Sequence, residues 1–135
     1  MTRVGLFAVC ALLPACGPTP GRDAPVTVAQ PASELPFVGR TWLAADPAAA
    51  PGTIRIFLPD GTLVMTSCVE TYRLAEWRSV GTGRIEWQED LAVIAADVTQ
   101  PGEDELQLRL ELAREVRTET YRSVAVPSVC PDLPR

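Results

Sequence analysis

The segment 106–112 alternates strictly between apolar and polar side chains, and this alternation restricts the fold more than any other feature of the sequence. Its four leucines fall on one side of the chain, whereas Gln107, Arg109 and Glu111 fall on the other. Because successive side chains of a β-strand point to opposite faces, such a segment buries one face and exposes the other to solvent. The pattern predicts a half-buried antiparallel strand.

Seven further segments combine β-branched, aromatic or alternating residues with flanking turn residues, and no segment has the spacing of a helix. The Ala-rich stretch 44–51 contains Pro47 and ends at Pro51, which a helix interior does not tolerate. Eight short strands in a chain of 135 residues predict an all-β domain, built as a small antiparallel meander that closes, or nearly closes, into a barrel. The other seven predicted strands are 41–45, 53–58, 62–68, 72–79, 84–88, 91–98 and 118–126.

Two turn sequences suggest how neighbouring strands are paired. Pro59-Asp60-Gly61 forms either a three-residue loop, which pairs Leu58 with Thr62, or a two-residue Asp-Gly turn, which shifts the register by one. For the next hairpin we predict a three-residue loop at 81–83, because it sorts both the apolar and the charged side chains onto matching faces. The pairs in that register are Val80–Arg84, Trp77–Trp87 and Arg78–Glu86.

The N-terminus carries the features of an export signal. Arg3 precedes a short apolar run at 4–13, which is shorter than the roughly 20 residues that span a bilayer. The run ends in Leu13-Pro14-Ala15-Cys16, which resembles the lipobox of bacterial lipoprotein precursors. The resemblance implies cleavage after Ala15 and a diacylglyceryl group on the Cys16 thiol, so that acyl chains hold the protein on a membrane. An ordinary secretory signal that happens to contain a cysteine is the alternative.

The residues after Cys16 predict a spacer and a location. In lipoproteins of two-membrane cells, Asp after the lipidated Cys retains the protein in the inner membrane, so Gly17 implies an outer-membrane anchor facing the periplasm. Five prolines and few large apolar residues lie between 17 and 36, which predicts a semi-extended tether. We therefore divide the chain into a signal peptide at 1–15, the lipidated Cys and tether at 16–36, and a barrel-like domain at 37–135.

Two motifs of the predicted domain resemble known barrels. Phe37-Val-Gly39-Arg-Thr-Trp42 is similar to the opening of lipocalin-like and META domains, in which a Gly shortly precedes a Trp. The segment 57–61, Phe-Leu-Pro-Asp-Gly, followed by Ser67-Cys68, is similar to a META hairpin and the cysteine-containing turn after it. The resemblance implies a lipocalin-like barrel with Trp42 closing one end. It does not imply an activity, because one fold serves many functions.

Cys68 and Cys130 are the thiols that remain after processing, besides the lipidated Cys16. In an oxidising periplasm, two cysteines in a small domain favour a disulfide, here one that holds the C-terminal residues against the barrel. A reactive Cys68 is the alternative. Since the chain contains no His, a Cys–His pair within it is impossible.

Composition excludes several classes of function. The net charge of -5 does not suit nucleic acid, and the sequence contains no Ca²⁺-loop or zinc-ligand spacing and no phosphate-binding loop. The carboxylates at 89–90 and 103–105 are expected in solvated turns. We therefore expect no catalytic residues, no metal and no cofactor.

The three tryptophans, Trp42, Trp77 and Trp87, either fill the core or line a ligand cavity. An eight-stranded barrel is only just wide enough to be filled by side chains or to hold one small ligand. We expect a non-enzymatic lipoprotein with a binding or envelope-maintenance role. The alternatives are a lipocalin-like carrier of a small apolar ligand and a protein inhibitor of an envelope hydrolase, so the partner is a protein or a small apolar molecule.

Overall fold

A computed structural model describes residues 29–130, which form a closed antiparallel barrel of eight strands. Each strand pairs with its sequence neighbours, and the first strand also pairs with the last. The predicted all-β meander with lipocalin-like architecture is confirmed. The strands are β1 Thr41–Ala44, β2 Ile54–Phe57, β3 Thr62–Thr66, β4 Arg73–Gly81, β5 Arg84–Glu89, β6 Ala92–Gly102, β7 Glu105–Glu111 and β8 Val116–Val124.

The hairpin between β2 and β3 has the three-residue loop. Phe57 is opposite Leu63, and the Leu58 amide donates a hydrogen bond of 2.8 Å to the Thr62 carbonyl. Gly61 has a φ of 88°, which a side chain would strain, so Gly at this position permits the tight return of the chain.

The hairpin between β4 and β5 matches the predicted register except at its turn. Trp77 is opposite Trp87, and Arg78 is opposite Glu86, as expected. The partner of Arg84, however, is Gly81 rather than Val80, because the register shifts between Ser79 and Gly81. This bulge absorbs one residue, so the loop is one residue shorter than predicted.

Strand β6 is longer than the sequence pattern indicates. The residues 100–102 have the composition of a turn, but they belong to β6, which ends at Gly102. The turn itself follows at 103–104. The register shifts between Thr99 and Gly102, which leaves Pro101 outside the regular ladder. A proline is compatible with a strand at such an irregularity, since no ladder hydrogen bond is needed there.

The folded part begins before Phe37. One turn of 3-10 helix covers Ala32–Glu34, and Leu35, in the segment expected as a tether, is buried against the core. The predicted signal peptide, Cys16, Gly17 and the tether up to residue 28 lie outside the described residues. Within 29–130, no helix is long and apolar enough to cross a membrane.

Candidate functional site

The two ends of the barrel differ in structure. Because successive strands run in opposite directions, the loops after β1, β3, β5 and β7 lie at one end, here called the open end. The N-terminal segment and the loops after β2, β4 and β6 lie at the other, here called the closed end. The loops of the open end are residues 45–53, 67–72, 90–91 and 112–115.

Aromatic side chains fill the closed end. The Phe37 ring meets the Phe57 ring edge-on at 5.3 Å between centroids and lies 5.9 Å from the Trp77 ring. The Trp42 indole donates to the Phe37 carbonyl at 2.8 Å, and the Trp77 indole donates to the Leu58 carbonyl at 3.0 Å. These bonds satisfy both indole N–H groups, so the rings are buried without an unpaired donor.

All three tryptophans belong to the core. Trp42, Trp77 and Trp87 are 0%, 4% and 2% exposed. Leucine side chains fill further parts of the interior, since Leu63 near the closed end and Leu108 at the middle of β7 have no exposed surface. Of the two roles considered for the tryptophans, the structure therefore shows packing in the core.

The open end holds a charged group inside the barrel, the guanidinium of Arg55 on β2. Its Nε donates to the Tyr121 hydroxyl at 2.6 Å, and its Nη2 donates to Glu119 Oε2 at 2.9 Å. The Tyr121 hydroxyl in turn donates to the same Glu119 oxygen at 2.6 Å. The guanidinium also lies over the Trp87 and Tyr121 rings, at 5.1 and 5.8 Å from their centroids. We call the three hydrogen-bonded residues Arg55, Tyr121 and Glu119 the Arg55 triad.

Sequence reasoning did not single out Arg55. In residues 53–58 an alternation of apolar and polar side chains predicts that Ile54 and Ile56 face the core. In the structure Phe57 is fully buried, and Arg55, two positions before it, lies on the same inward face. Phe57 was the available signal, because a residue two positions from a buried aromatic residue shares its face.

The Arg55 triad retains an unused donor. Nη1 of Arg55 is buried and has no hydrogen-bond partner among the described residues. The Arg55 side chain lines a cavity of about 310 Å³ together with Tyr121, Glu119 and the loop after β1, and it also lines a smaller cavity of about 80 Å³ beside Arg73. A buried donor without a partner is unfavourable by about 1–3 kcal/mol, so a carbonyl or hydroxyl oxygen of a bound molecule would be favoured there.

A second ion pair lies at the smaller of these two cavities, the one of about 80 Å³. Arg73 binds Glu89 at 2.9 Å, and Glu89 also accepts a hydrogen bond from the Trp87 indole at 3.3 Å. The carboxylates at 89–90 thus lie at the open end, whereas those at 103–105 lie at the closed end, where Asp104 binds Arg40 at 2.6 Å. The structure does not bring the two groups together. In residues 29–130 no three His, Cys, Asp or Glu side chains are grouped to hold a metal ion.

Burial raises the pKa of the Tyr121 hydroxyl, and the Glu119 charge raises it further, although the Arg55 charge opposes the shift. The folded state therefore favours neutral Tyr121, and this contribution to stability is complete below the usual tyrosine pKa of about 10. As the pH rises above that value, the unfolded chain gains tyrosinate while the folded protein does not.

We therefore expect the free energy of unfolding to fall as the pH rises above about 10. The tyrosinate absorbance of Tyr121 should appear only together with unfolding in an alkaline titration. Tyr121→Phe should remove this late phase, and Tyr72→Phe, which changes the exposed tyrosine, should keep it. A late phase that survives in Tyr121→Phe would contradict the assignment.

The predicted disulfide is present, since Cys68 and Cys130 are bonded across 62 positions of sequence. Strand β8 ends at the closed end, whereas Cys68 follows β3 at the open end. The segment 125–130 therefore runs the length of the barrel on the outside and is fixed at its far end. Gly52 lies directly against this bond, because a Cβ built on it would stand 2.1 Å from the Cys68 sulfur.

Comparisons with protein-family models, with curated proteins and with solved structures give no match for this chain.

Proposed function

We propose that this chain is a lipoprotein of the bacterial envelope that acts by binding and not by catalysis. The lipobox-like Leu13-Pro14-Ala15-Cys16 supports a lipid anchor, and Gly17 supports an outer-membrane position facing the periplasm. The observation that carries the binding role is the difference between the two ends of the barrel. One end is packed with aromatic rings, and the other is an open cavity with a buried guanidinium donor.

The position of the N-terminal segment supports a direction for this binding. Leu35 and Phe37 are buried at the closed end, so the chain that leads back to Cys16 leaves the barrel there. A tether that enters the barrel at the closed end would leave the open end free to face away from the membrane. A partner in the periplasm fits this arrangement better than the lipids of the anchoring membrane.

Between the two alternatives, the filled interior favours a protein partner. A lipocalin-like carrier needs apolar space inside the barrel, whereas Leu63, Leu106 and Leu108 occupy that space. The cavity at the open end places the charged Arg55 and Glu119 beside alanine side chains, and covering charged groups with an apolar ligand is unfavourable. A protein inhibitor of an envelope hydrolase is the second candidate, because the open end presents exposed apolar side chains on its loops.

The charges of the open end support a non-enzymatic role. Arg55 and Arg73 each bind a carboxylate, Glu119 and Glu89 respectively. In each pair the carboxylate already accepts a hydrogen bond from the guanidinium, whereas a general base must face the proton that it removes from a substrate. The chain also lacks His, the most frequent general base.

The anchor is tested by Cys16→Ser. We expect the variant to lose its partition into the membrane fraction, because no other anchor is evident in the sequence. We also expect its mass to be that of the precursor with the signal peptide still attached. Fractionation of cells followed by intact-mass measurement gives both readings. Cys130→Ser, which changes a cysteine far from the signal, serves as the control and should fractionate like wild type. A Cys16→Ser protein found in the membrane fraction at the wild-type mass would refute the lipoprotein assignment.

A further inference from the structure

Exposed apolar side chains are concentrated at one side of the open end. Eight large apolar residues in 29–130 are highly exposed, and five of them lie in or next to the loop after β3 and the turn after β5. Leu91, at the tip of that turn, is 101% exposed, and Tyr72 is 68% exposed. A soluble domain normally scatters such residues singly, and their grouping marks a contact surface. We call the five residues the apolar rim: Val69, Tyr72, Leu74, Leu91 and Val93.

The register places these residues on neighbouring strands. Leu74 lies near the start of β4 and Val93 near the start of β6, with β5 between them. Neighbouring strands are about 4.8 Å apart, and the register sets Val93 level with Glu76, two residues along β4 from Leu74, so Leu74 and Val93 are separated by roughly 12 Å. The apolar rim is therefore one patch on the β3–β6 side of the barrel.

The charges around the apolar rim are acidic. Glu70, Glu76 and Asp90 are exposed and form no salt bridge with any residue in 29–130. The basic side chains nearest in sequence are already paired, Arg73 with Glu89 and Arg78 with Glu86. The patch is thus apolar at its centre and carries unpaired negative charge at its border.

We propose that the apolar rim binds a protein whose contact surface presents apolar side chains flanked by Lys or Arg. Charge complementarity selects this partner, because a basic border would pair with Glu70, Glu76 and Asp90. A second copy of this chain would bring the same carboxylates face to face, and an anionic lipid surface would be repelled by them. This proposal rests on the binding role proposed above, and it adds the face and the chemistry of the partner.

The smaller cavity of about 80 Å³ adjoins the apolar rim, because Glu70 and Arg73 line it together with Arg55. Arg55 lines this cavity, and its buried Nη1 has no hydrogen-bond partner among the described residues, so a partner segment that enters the cavity would meet a guanidinium with an unused donor. A loop that covers the apolar rim and reaches Arg55 would combine a desolvated apolar contact with one charge-assisted hydrogen bond.

The test uses a photo-reactive amino acid in the full-length lipoprotein in cells, at position 91 or at position 82. Thr82 is exposed in the hairpin of the closed end, so it controls for chance encounters in the same compartment. We expect position 91 to give one defined protein cross-link that position 82 does not give. Mass spectrometry should locate the cross-link on a segment of the partner that is apolar and bordered by Lys or Arg.

The purified partner is then titrated against variants of the lipoprotein. Tyr72→Ala with Leu91→Ala should weaken binding at least about tenfold, as expected for the centre of an interface. Glu70→Gln with Asp90→Asn should weaken it at low salt, and the difference should shrink as salt is added. Glu103→Gln with Glu105→Gln, which removes two charges at the closed end, should leave binding unchanged. Each variant must keep the wild-type urea midpoint.

Each other outcome overturns the proposal. Cross-linking to lipid, to a second copy of the chain, or to a partner surface without basic residues would show a different occupant. The absence of a position-91 cross-link, or equal effects of the open-end and closed-end charge variants, would show that the apolar rim is not the contact. The membrane fraction of the same cells reports the Cys16 anchor separately, so failure at the rim is distinguishable from failure of the lipoprotein assignment.

Discussion

Trp42→Ala should lower the free energy of unfolding by about 3–5 kcal/mol, a large share of the 5–15 kcal/mol typical of a domain. Trp42 is fully buried, and its indole donates to the Phe37 carbonyl at 2.8 Å. Truncation would leave a cavity at the closed end and would also remove the partner of that carbonyl. The midpoint of urea unfolding of the purified protein measures the effect.

Two matched variants separate the causes of this loss. Trp42→Phe keeps much of the ring volume but loses the hydrogen bond, so we expect a smaller loss than for Ala. Leu91→Ala changes a fully exposed side chain and should alter the free energy of unfolding by less than about 0.5 kcal/mol. A Trp42→Ala midpoint close to wild type would show that Trp42 does not support the core, and the ligand-cavity role would regain its basis.

The strands of this barrel could be predicted because most of them follow one physical rule. Successive side chains of a half-buried strand point alternately to the core and to solvent, which gives a sequence period of two residues. The segment 106–112 shows that period without interruption. The same rule gave the pairing of Trp77 with Trp87 and of Arg78 with Glu86, since only one register sorts both faces. Closure into a barrel follows, because the sheet otherwise leaves two unpaired edges.

The features that were not predicted are those in which local composition and tertiary context disagree. Gln100-Pro101-Gly102 has the composition of a turn, yet a bulge accommodates it inside β6. Leu35 follows a proline-rich stretch, yet it is buried because the barrel end offers an apolar surface. In both cases contacts with distant residues outweigh the local preference, and one sequence does not display those contacts.

The candidate site could not be predicted for a related reason. Arg55 comes next to two isoleucines in a strand, and an arginine in that setting usually faces water. It faces inward because Glu119, Tyr121 and Trp87 supply charge, hydrogen bonds and ring faces from two other strands. These partners are 32–66 positions away in sequence. The apolar rim is likewise assembled from separate loops, so it emerges only when the strand order is known.

Removing the disulfide should have an effect of similar size to Trp42→Ala. Cys68 and Cys130 close a loop across 62 positions, and the chain-entropy relation assigns such a loop about 4 kcal/mol. We therefore expect Cys68→Ala with Cys130→Ala to lower the free energy of unfolding by up to about 4 kcal/mol, measured by urea unfolding. Val129→Ala, which changes an exposed neighbour and keeps the bond, is the control.

Gly52 provides an independent check on this bond. Its φ of 67° strains any other residue, and an added Cβ would meet the Cys68 sulfur at 2.1 Å. Gly52→Ala should therefore destabilise the disulfide-bonded protein by more than the backbone strain of about 1–2 kcal/mol alone. In the protein with alanine at both cysteine positions the sulfur is gone, although the Cβ at position 68 stays 3.3 Å from the added methyl group, so the loss caused by Gly52→Ala should be clearly smaller. Equal losses in the two backgrounds would mean that Gly52 and the disulfide are not in contact, because residues that do not touch have additive effects.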